Sequence, residues 1–494
     1  MGTENVSAAN VAASVADSPR VVRAGLLSMV GLIALGATRL IHGSLVSRAT
    51  DEATYALVGT LIGVGMTAGL FLPLGLSVAA SKFLPFYRAQ GDAATAGAVY
   101  RQLSWIGLLI SVVLGAAVGL GASLALDLST GNTVAVSLFA AVFSVYSIEK
   151  GALYGFDRVA PYARLEIAGS VVAVLATVLV VVLGGTAYLA PLILGYSVLI
   201  AGAWVLLRSS RARVPVDRAA RTEISGFVML ASLGGLASAG LLQLLPFLAT
   251  WFTSPVEVAY FAAAVTLIAP LYFLPRALGM ALFPAMAHAH GAGDTDVVRR
   301  HADLSTRALL VLLAPLFAAA IPLAREAMVL FGDTRFAPGA PVLQLLLVAT
   351  YVAVIQVAAV NALSSGTQRE VRIPVYSGVF GCVLGLLVLV PLGSWLGGTG
   401  VGLAYLIAVV AYTTWPIGAT WRAYRMAWGG PLVRSMAVVG AALAIGLIAD
   451  GTNLDGAARV LLDIGLAVAA VAVAVAVLLR DITALRSAVR PSTP

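Results

Sequence analysis

Long apolar runs separated by short polar segments fill the chain from about residue 22 to residue 480. Fourteen runs can be distinguished, and most have about 20 residues, the length that a helix needs to cross a bilayer. The short alternating segments of a membrane barrel are not seen, and helices are the other way to satisfy the backbone in lipid. The pattern predicts an all-α polytopic membrane protein with about 14 transmembrane helices.

One stretch of the sequence occurs twice. Residues 55–92 and residues 260–294 both open on tyrosine, both break at a proline in mid-segment (Pro73 and Pro275), and both close on a Gly-Asp turn. Repetition at half-chain distance indicates two homologous lobes. In a membrane chain, two lobes indicate a binding site between them.

Composition supports a membrane protein. Hydrophobic residues make up 60% of the 494 residues and charged residues 11%, whereas a globular domain has roughly 25% charged residues. The net charge of +8 does not indicate nucleic-acid binding, because the basic residues are spread singly and form no aromatic-basic stripe.

The distribution of arginine and lysine predicts the orientation. With the N-terminus inside, 24 of the 30 basic residues lie at the cytoplasmic side and two, Arg39 and Arg276, lie within the membrane. The four outside are Arg48, Arg325, Arg335 and Arg459. This positive-inside bias predicts a multi-pass membrane protein with both termini cytoplasmic. All outside loops are short, so no extramembrane domain is large enough for a catalytic site, and an enzyme is not expected.

The sequence predicts no cofactor and no metal. It contains no P-loop and no nucleotide fingerprint between a strand and a helix. The single cysteine, Cys382, excludes a disulfide framework and a thiolate metal site. His288, His290 and His301 have no carboxylate or cysteine at ligand spacing beside them.

Ionisable residues inside an apolar span are costly, so each is a candidate for function. Arg39 and His42 are three apart in the first span and therefore share one helix face. Arg276 directly follows Pro275 in the second copy of the repeat, where the first copy has Leu74. A charge that only one lobe carries is not required by the fold, so Arg276 is the sharper candidate for lining a central cavity.

Three further residues are candidates for the same cavity. Glu149 and Lys150 are adjacent in the fourth span, so they diverge on a helix and cannot simply pair with each other. Gln243 is polar within the seventh span, three residues before Pro246. Glu166, near the end of the fifth span, is expected at the surface.

The repeated segments also carry a family resemblance. SRATDEATYALVGTLIGVGMTAGLFLPLGLSVAASKFLPFYRAQGD resembles the second-span signature of bacterial polysaccharide-biosynthesis flippases, which belong to the multidrug/oligosaccharidyl-lipid/polysaccharide (MOP) exporter superfamily. VEVAYFAAAVTLIAPLYFLPRALGMALFPAMAHAHGAGD is similar to the matching signature of the second lobe. The segments GALYGFDRVAPYARLEIAG, VLFGDTRFAPGAPVLQLL and NALSSGTQRE follow in the expected order, so the resemblance covers nearly the whole chain.

The resemblance implies two pseudo-symmetric six-helix lobes around a central cavity, plus two C-terminal helices. The expected boundaries are a disordered cytoplasmic N-terminus (1–20), an N-lobe (21–207), a basic linker (208–223), a C-lobe (224–425), two extra helices (426–480) and a cytoplasmic tail (481–494).

The resemblance further implies flipping of undecaprenyl-pyrophosphate-linked oligosaccharide across the bacterial cytoplasmic (inner) membrane by alternating access, in the service of cell-surface polysaccharide biosynthesis. Expected partners are this substrate, membrane lipids and a polysaccharide polymerase or glycosyltransferases, and the chain is expected to act as a monomer. Ala53 and Val258 depart from the family pattern, and Gln243 stands where a carboxylate is common, which argues against an ion-coupling carboxylate there.

A cationic cavity suits such a substrate, since Arg39, Arg276 and Lys150 would replace the water around a pyrophosphate with charged donors. Three alternatives remain open at this point: a lipid II flippase, a drug/cation antiporter of the same superfamily, and a membrane-embedded glycosyltransferase or polysaccharide polymerase.

Overall fold

The computed structural model describes residues 4–272, 294–452 and 456–489, together with residues 282, 286, 289, 290 and 454. These ranges contain helices and no strand. The first ten helices are α1 (Glu4–Ala49), α2 (Glu52–Leu70), α3 (Leu72–Ala89), α4 (Ala93–Leu126), α5 (Thr130–Gly155), α6 (Val159–Val182), α7 (Ala190–Leu207), α8 (Arg218–Gly235), α9 (Leu241–Ala249) and α10 (Pro255–Ile268). The later helices are α11 (Thr295–Ala320), α12 (Ala324–Gly332), α13 (Ala340–Ile355), α14 (Val357–Ser364), α15 (Gln368–Tyr424), α16 (Gly429–Asp450) and α17 (Gly456–Val489).

Twelve helical segments in the described part of the chain are long and apolar enough to cross a membrane. One of them, Arg369–Tyr424, contains two predicted spans that meet at Gly397 (φ 59°, ψ −138°), a left-handed conformation that favours glycine. The seventh predicted span is interrupted by a π-turn at Leu236–Gly240 between α8 and α9, so neither helix is counted by itself. The fourteen predicted runs are thereby accounted for, and the all-α polytopic fold is confirmed.

The helices extend further at both ends of the chain than the predicted boundaries. α1 includes residues 4–20, for which the sequence predicted disorder, and α17 continues through residues 481–489 of the predicted tail. Residues 4–20 contain five alanines and residues 481–489 contain two, and alanine has the highest helix propensity of any residue.

The two copies of the repeat begin and end alike. Asp51 and Ser254 cap the N-termini of α2 and α10 by accepting the backbone N–H three residues later. At the far ends, Asp92 and Asp294 accept the N–H groups of Thr95 and Val297 at 2.8 and 3.0 Å. These caps satisfy donors that a helix leaves without intrahelical partners. The Gly-Asp turns therefore serve the same purpose in both copies.

Each copy also interrupts its helix. In the first copy, α2 ends at Phe71 (ψ −130°), and Pro73 lies in the first turn of α3, where its missing N–H removes no helical hydrogen bond. In the second copy, α10 tightens into a 3-10 turn at Ala269–Tyr272. Pro275 lies outside the described residues.

Buried apolar side chains form two clusters that meet along the repeated helices. One cluster is drawn from residues 61–228, and the other from residues 241–478 together with the end of α1 and the start of α2. Tyr55 and Tyr260, the first residues of the two copies, both pack edge-on against Phe336, with ring centroids 5.5 and 5.9 Å apart. The copies thus lie face to face between two halves of the molecule. We call the part that contains the first cluster the first half, and the part that contains residues 241–478 the second half.

The last two helices pack against α11, and α16 also contacts α13. Arg459 of α17 is 2% exposed and donates to Asp463 Oδ2 at 2.8 Å, to Asp450 Oδ1 at 2.7 Å and to the Ala449 carbonyl. Gln344 of α13 donates to the other oxygen of Asp450 at 2.8 Å. This buried ion cluster joins α16 and α17 to the second half.

Replacing Arg459 by methionine is expected to destabilise the protein by about 3–5 kcal/mol, because it leaves buried carboxylates without their cation. The matched change Arg434→Met removes an arginine that is 40% exposed and paired with Asp481, and its expected cost is about 1 kcal/mol or less. Thermal unfolding in detergent measures both. Equal shifts for the two variants would show that the cluster adds nothing beyond a surface pair.

Candidate functional site

A cavity of about 1350 Å³ lies between the two halves of the molecule. α1 and α2 contribute to its wall along much of their length, and α9, α10, α13, α14 and α15 form most of the opposite wall. Pockets for drug-sized ligands have about 300–1,000 Å³, so this cavity has room for a larger molecule.

The cavity differs at its two ends. One side of the molecule, which we call the first face, carries the turn between α1 and α2. The cavity lining ends there at Tyr55, which is buried. The opposite side, which we call the second face, carries the turn between α3 and α4. The cavity lining there includes Ser81 and Lys82, which are exposed. The cavity therefore reaches the second face and is closed at the first.

Residues 44–55 and residues 329–336 close the first face, and we call these two segments the latch. Arg335 pairs with Asp333 at 2.9 Å and with Glu52 at 3.6 Å. It also donates to two backbone carbonyls near the end of α1, at 3.2 and 3.3 Å. The hydrogen bonds from Arg335 hold the pKa of the Asp333 carboxyl below its ordinary value.

Hydroxyl and aromatic contacts complete the latch. Ser44 Oγ donates to the Phe331 carbonyl at 2.6 Å, and Arg48 Nη2 donates to the Leu330 carbonyl at 2.5 Å. The Tyr55 ring packs edge-on against Phe331 with centroids 6.1 Å apart. Each contact joins residues 44–55 to residues 329–336, so opening the first face requires breaking all of them.

Tyrosines aside, the ionisable side chains of the described cavity wall are basic. Arg39, His42 and Lys82 line it, and in the part of the chain that the structure describes no aspartate or glutamate does. The neutral polar lining includes Gln243, Gln356 and Asn361 and several tyrosines. Such a wall favours an anionic ligand with many hydrogen-bonding groups.

Side chains from α5 and α7 hold the Arg39 guanidinium on the side away from the cavity. Its Nε and Nη2 donate to the Tyr196 hydroxyl at 3.3 and 3.2 Å, and its guanidinium lies 5.7 Å from the centroid of the Phe143 ring. Within the described residues, Nη1 makes no hydrogen bond. One edge of the planar guanidinium is thus fixed, while other N–H groups remain for a ligand.

A buried polar network lies behind Arg39. The rings of Tyr196 and Tyr146 are 4.6 Å apart, and the Tyr146 hydroxyl is 2.9 and 3.1 Å from the two carboxylate oxygens of Glu166. Glu166 is 4% exposed, so the expectation that it lies at the surface is wrong. Glu166 lies on the side of α6 that faces α5. A single carboxylate near a helix end gives no sequence signal of that orientation.

His42 lies in the cavity wall with its imidazole turned toward α6. Its Nδ1 lies 2.9 Å from Thr177 Oγ1, and the Thr177 hydroxyl donates to the Ala173 carbonyl at 2.7 Å. Because a hydroxyl has one proton, we assign the donor role in the first contact to Nδ1. His42 Nε2 is buried and has no partner among the described residues.

Glu149 and Lys150 do not line the cavity. Glu149 is buried between α4 and α5, where it accepts hydrogen bonds from Tyr100 at 2.8 Å and Ser104 at 2.6 Å. The Lys150 ammonium lies 5.0 Å from the Tyr162 ring centroid. The two residues point in different directions from α5: Glu149 faces α4, and Lys150 also lies 5.7 Å from the ring of Tyr146, in the network behind Arg39. Arg276 lies outside the described residues.

Gln243 lies in the cavity wall in the first turn of α9, three residues after the π-turn at Leu236–Gly240. Such turns often occur at functional sites. Asn361 of α14 lines the same cavity, and its Nδ2 is buried without a partner among the described residues. Sequence reasoning missed Asn361 and Lys82 as site residues, although Asn361 opens the NALSSGTQRE segment that carries part of the family resemblance.

Known proteins support the assignment of the fold. The family model described as MatE matches residues 232–390. The solved structure "Lipid II flippase MurJ, inward closed conformation" aligns with a TM-score of 0.66 at 12% identity, covering 93% of this chain and 99% of that one.

Two transporter structures align less closely. An "inward-facing conformation of a multidrug resistance MATE family transporter of the MOP superfamily" has a TM-score of 0.59 at 15% identity, with 81% of this chain and 98% of that chain covered. A eukaryotic MATE transporter has a TM-score of 0.55 at 14% identity, with 84% and 96% covered. No curated protein sequence matches. The chain carries a MatE domain in its second half and has the multi-pass membrane fold of the MOP transporter superfamily.

Proposed function

We propose that this transporter is a flippase that moves lipid-linked (undecaprenyl-pyrophosphate) oligosaccharide across the bacterial cytoplasmic membrane by alternating access. One observation carries the proposal: the 1350 Å³ cavity between the halves presents Arg39, His42 and Lys82 and, within the described residues, no carboxylate. The pyrophosphate group is anionic and the sugars are hydrated, so the substrate needs donors that replace water.

The arrangement of these groups suits a lipid-linked head group. Arg39 would contact the pyrophosphate through the guanidinium edge that Tyr196 leaves available. Gln243, Gln356 and Asn361 would hydrogen-bond to sugar hydroxyls. The polyprenyl tail would remain in the bilayer. Moving it from there into the polar cavity would cost about 0.8 kcal/mol per CH₂ group.

A lipid II flippase is the second candidate, and the similarity to MurJ favours it, with a TM-score of 0.66 over 93% of this chain. Both substrates join a pyrophosphate to a lipid and sugars, so the basic wall serves either. An antiporter for cationic drugs is a poorer fit, because it needs an acidic group near the cation and the described wall has none.

We further propose that residues 21–207 and 224–425 form the two lobes and that residues 426–480 form accessory helices. The two apolar clusters support two lobes, although Ile224 and Val228 pack in the first cluster and the accessory helices pack in the second. With both termini cytoplasmic, the latch would lie outside and the cavity would open inward. The aligned MurJ structure has an inward closed conformation, and the aligned MATE structure has an inward-facing one.

Reconstitution into liposomes tests the substrate. Fluorescent undecaprenyl-pyrophosphate oligosaccharide should become accessible to an impermeant quencher or hydrolase on the opposite side only in vesicles that contain the protein. A parallel reaction with lipid II separates the two candidates. Movement of neither lipid, by a protein that is folded by thermal unfolding, would reject both.

The latch predicts a conformational shift. Arg335→Gln with Tyr55→Ala removes the ion pairs and the ring packing that hold the first face closed, so the open state gains population. Thr266 lines the cavity, and a cysteine placed there in a Cys382→Ser background reports access. Labelling by an impermeant thiol reagent from the first face is expected to rise at least about threefold. The exposed Arg299→Gln on α11 serves as the control, and an unchanged labelling rate in the latch variant would contradict this role.

A further inference from the structure

A second cavity, of about 570 Å³, lies at the second face between the start of α4 and the linker that joins α7 to α8. The α4 wall consists of residues at helical spacing, which share one face of that helix: Ala98, Arg101, Gln102, Trp105 and Ile106. The linker wall includes Arg213 and Val216, and Arg221 comes from the first turn of α8. Three arginines therefore border one small space.

The linker is held in place against α4. Gly97 approaches the linker so closely that an added Cβ would meet the Ser210 carbonyl oxygen. The Arg211 guanidinium lies 5.5 Å from the centroid of the Tyr100 ring, and Val216 is buried. These contacts fix the backbone on both sides of Arg213, so the pocket is a formed site.

The three arginines lack anionic partners. In the part of the chain that the structure describes, the side chains of Arg101, Arg213 and Arg221 make no ion pair and no hydrogen bond. The neighbouring carboxylate, Asp217, caps the backbone N–H of Ala219 at 3.1 Å. Three neighbouring positive charges repel one another, and an anion with several oxygens would relieve that repulsion through charge-assisted hydrogen bonds.

An apolar surface continues from the pocket along α4. Trp105 is 63% exposed, and Leu109, Val112 and Val113 follow on the outer side of this membrane-spanning helix. Exposed tryptophan is typical of the boundary between membrane and water. A ligand with an anionic head and acyl chains would contact both surfaces, whereas a soluble anion would use the arginines alone.

We propose that this pocket binds the phosphate head group of an anionic membrane phospholipid, with its acyl chains along Trp105 and Leu109. The site is separate from the central cavity, and the proposal stands whether or not the protein flips lipid-linked sugars. Basic pockets beside transmembrane helices are known to hold such head groups. Because the bound phosphate would bridge α4, the linker and α8, it would join the two halves at the second face.

The test is binding of phosphatidylglycerol to the full-length protein, measured by native mass spectrometry from detergent, with phosphatidylcholine as the zwitterionic probe. The variant combines Arg101→Gln, Arg213→Gln and Arg221→Gln. The matched control, Arg299→Gln with Arg300→Gln and Arg372→Gln, removes the same charge from exposed arginines elsewhere. We expect at least a tenfold loss of phosphatidylglycerol affinity in the pocket variant and less than a twofold change in the control.

Three results would overturn the proposal. Equal losses in both triple variants would show a general charge effect, and equal binding of phosphatidylcholine would show that the phosphate charge is not recognised. Displacement of the lipid by millimolar inorganic phosphate would assign the pocket to a soluble anion. Arg213→Gln alone, at an exposed linker position, should still weaken binding at least threefold if the triple variant fails to fold.

Discussion

Replacing Arg39 by glutamine is expected to reduce flipping of the lipid-linked substrate by about tenfold or more. A hydrogen bond to a charged group contributes about 1.5–3 kcal/mol, and each 1.4 kcal/mol corresponds to a factor of about ten. Arg39 is the arginine that the described structure places in the cavity wall. The proteoliposome assay measures the rate, with the amount of inserted protein determined for each variant.

Two companion variants show whether charge or position matters. Tyr196→Phe keeps the Arg39 charge but removes the hydroxyl that accepts from Nε and Nη2, so an intermediate loss is expected. Arg299→Gln removes an equal charge from the exposed surface of α11 and should leave the rate unchanged. Arg276→Ala tests the sequence-based prediction for the second lobe. Unchanged transport in both the Arg39 and the Arg276 variants would reject the cationic cavity.

Replacing Gly63 by valine is expected to abolish transport, because the added side chain prevents the two halves from closing at the first face. A Cβ on Gly63 would stand 2.5 Å from the backbone oxygen of Gln243, and one on Gly59 would stand 2.5 Å from the Ala262 Cβ. Backbone at that distance cannot yield as a flexible side chain can, so α2 and α9 must separate. Thiol labelling of the cysteine at Thr266 should then rise at the first face and fall at the second.

Gly121 is the matched control for this substitution. It also lies in a membrane-spanning helix, α4, but a Cβ added there meets no atom within 4 Å. Gly121→Val should therefore retain transport and the original labelling pattern. If Gly63→Val transports at the normal rate, the closed state seen here is not one that the transport cycle visits.

Much of the architecture follows from one-dimensional pattern. The apolar runs predict the helices, because a bilayer leaves the backbone few other ways to satisfy its hydrogen bonds. The paired tyrosines and Gly-Asp turns of the repeat predict equivalent segments, and Tyr55 and Tyr260 indeed pack on the same ring of Phe336. Each of these features depends on local spacing, which the sequence shows directly.

The candidate site is less predictable. Arg39, His42 and Gln243 were expected in the cavity, and the structure places all three in its wall. Glu149 and Lys150 were expected there too, but they lie within the first half. All five are polar residues in apolar runs, and only the rotation of each helix against its neighbours separates the two groups.

By itself, the sequence determined that this chain crosses a membrane many times, that its halves repeat, and that a few buried charges need an explanation. The tertiary structure decided which charges share a space. Glu166, which was expected at the surface, lies buried behind Arg39. Lys82 and Asn361, which were not expected in the cavity, line it. It also set the linker against α4 to form a second basic pocket. The reason is physical: hydropathy and spacing report the cost of placing a residue in lipid, while its neighbours depend on packing between helices that lie far apart in the chain.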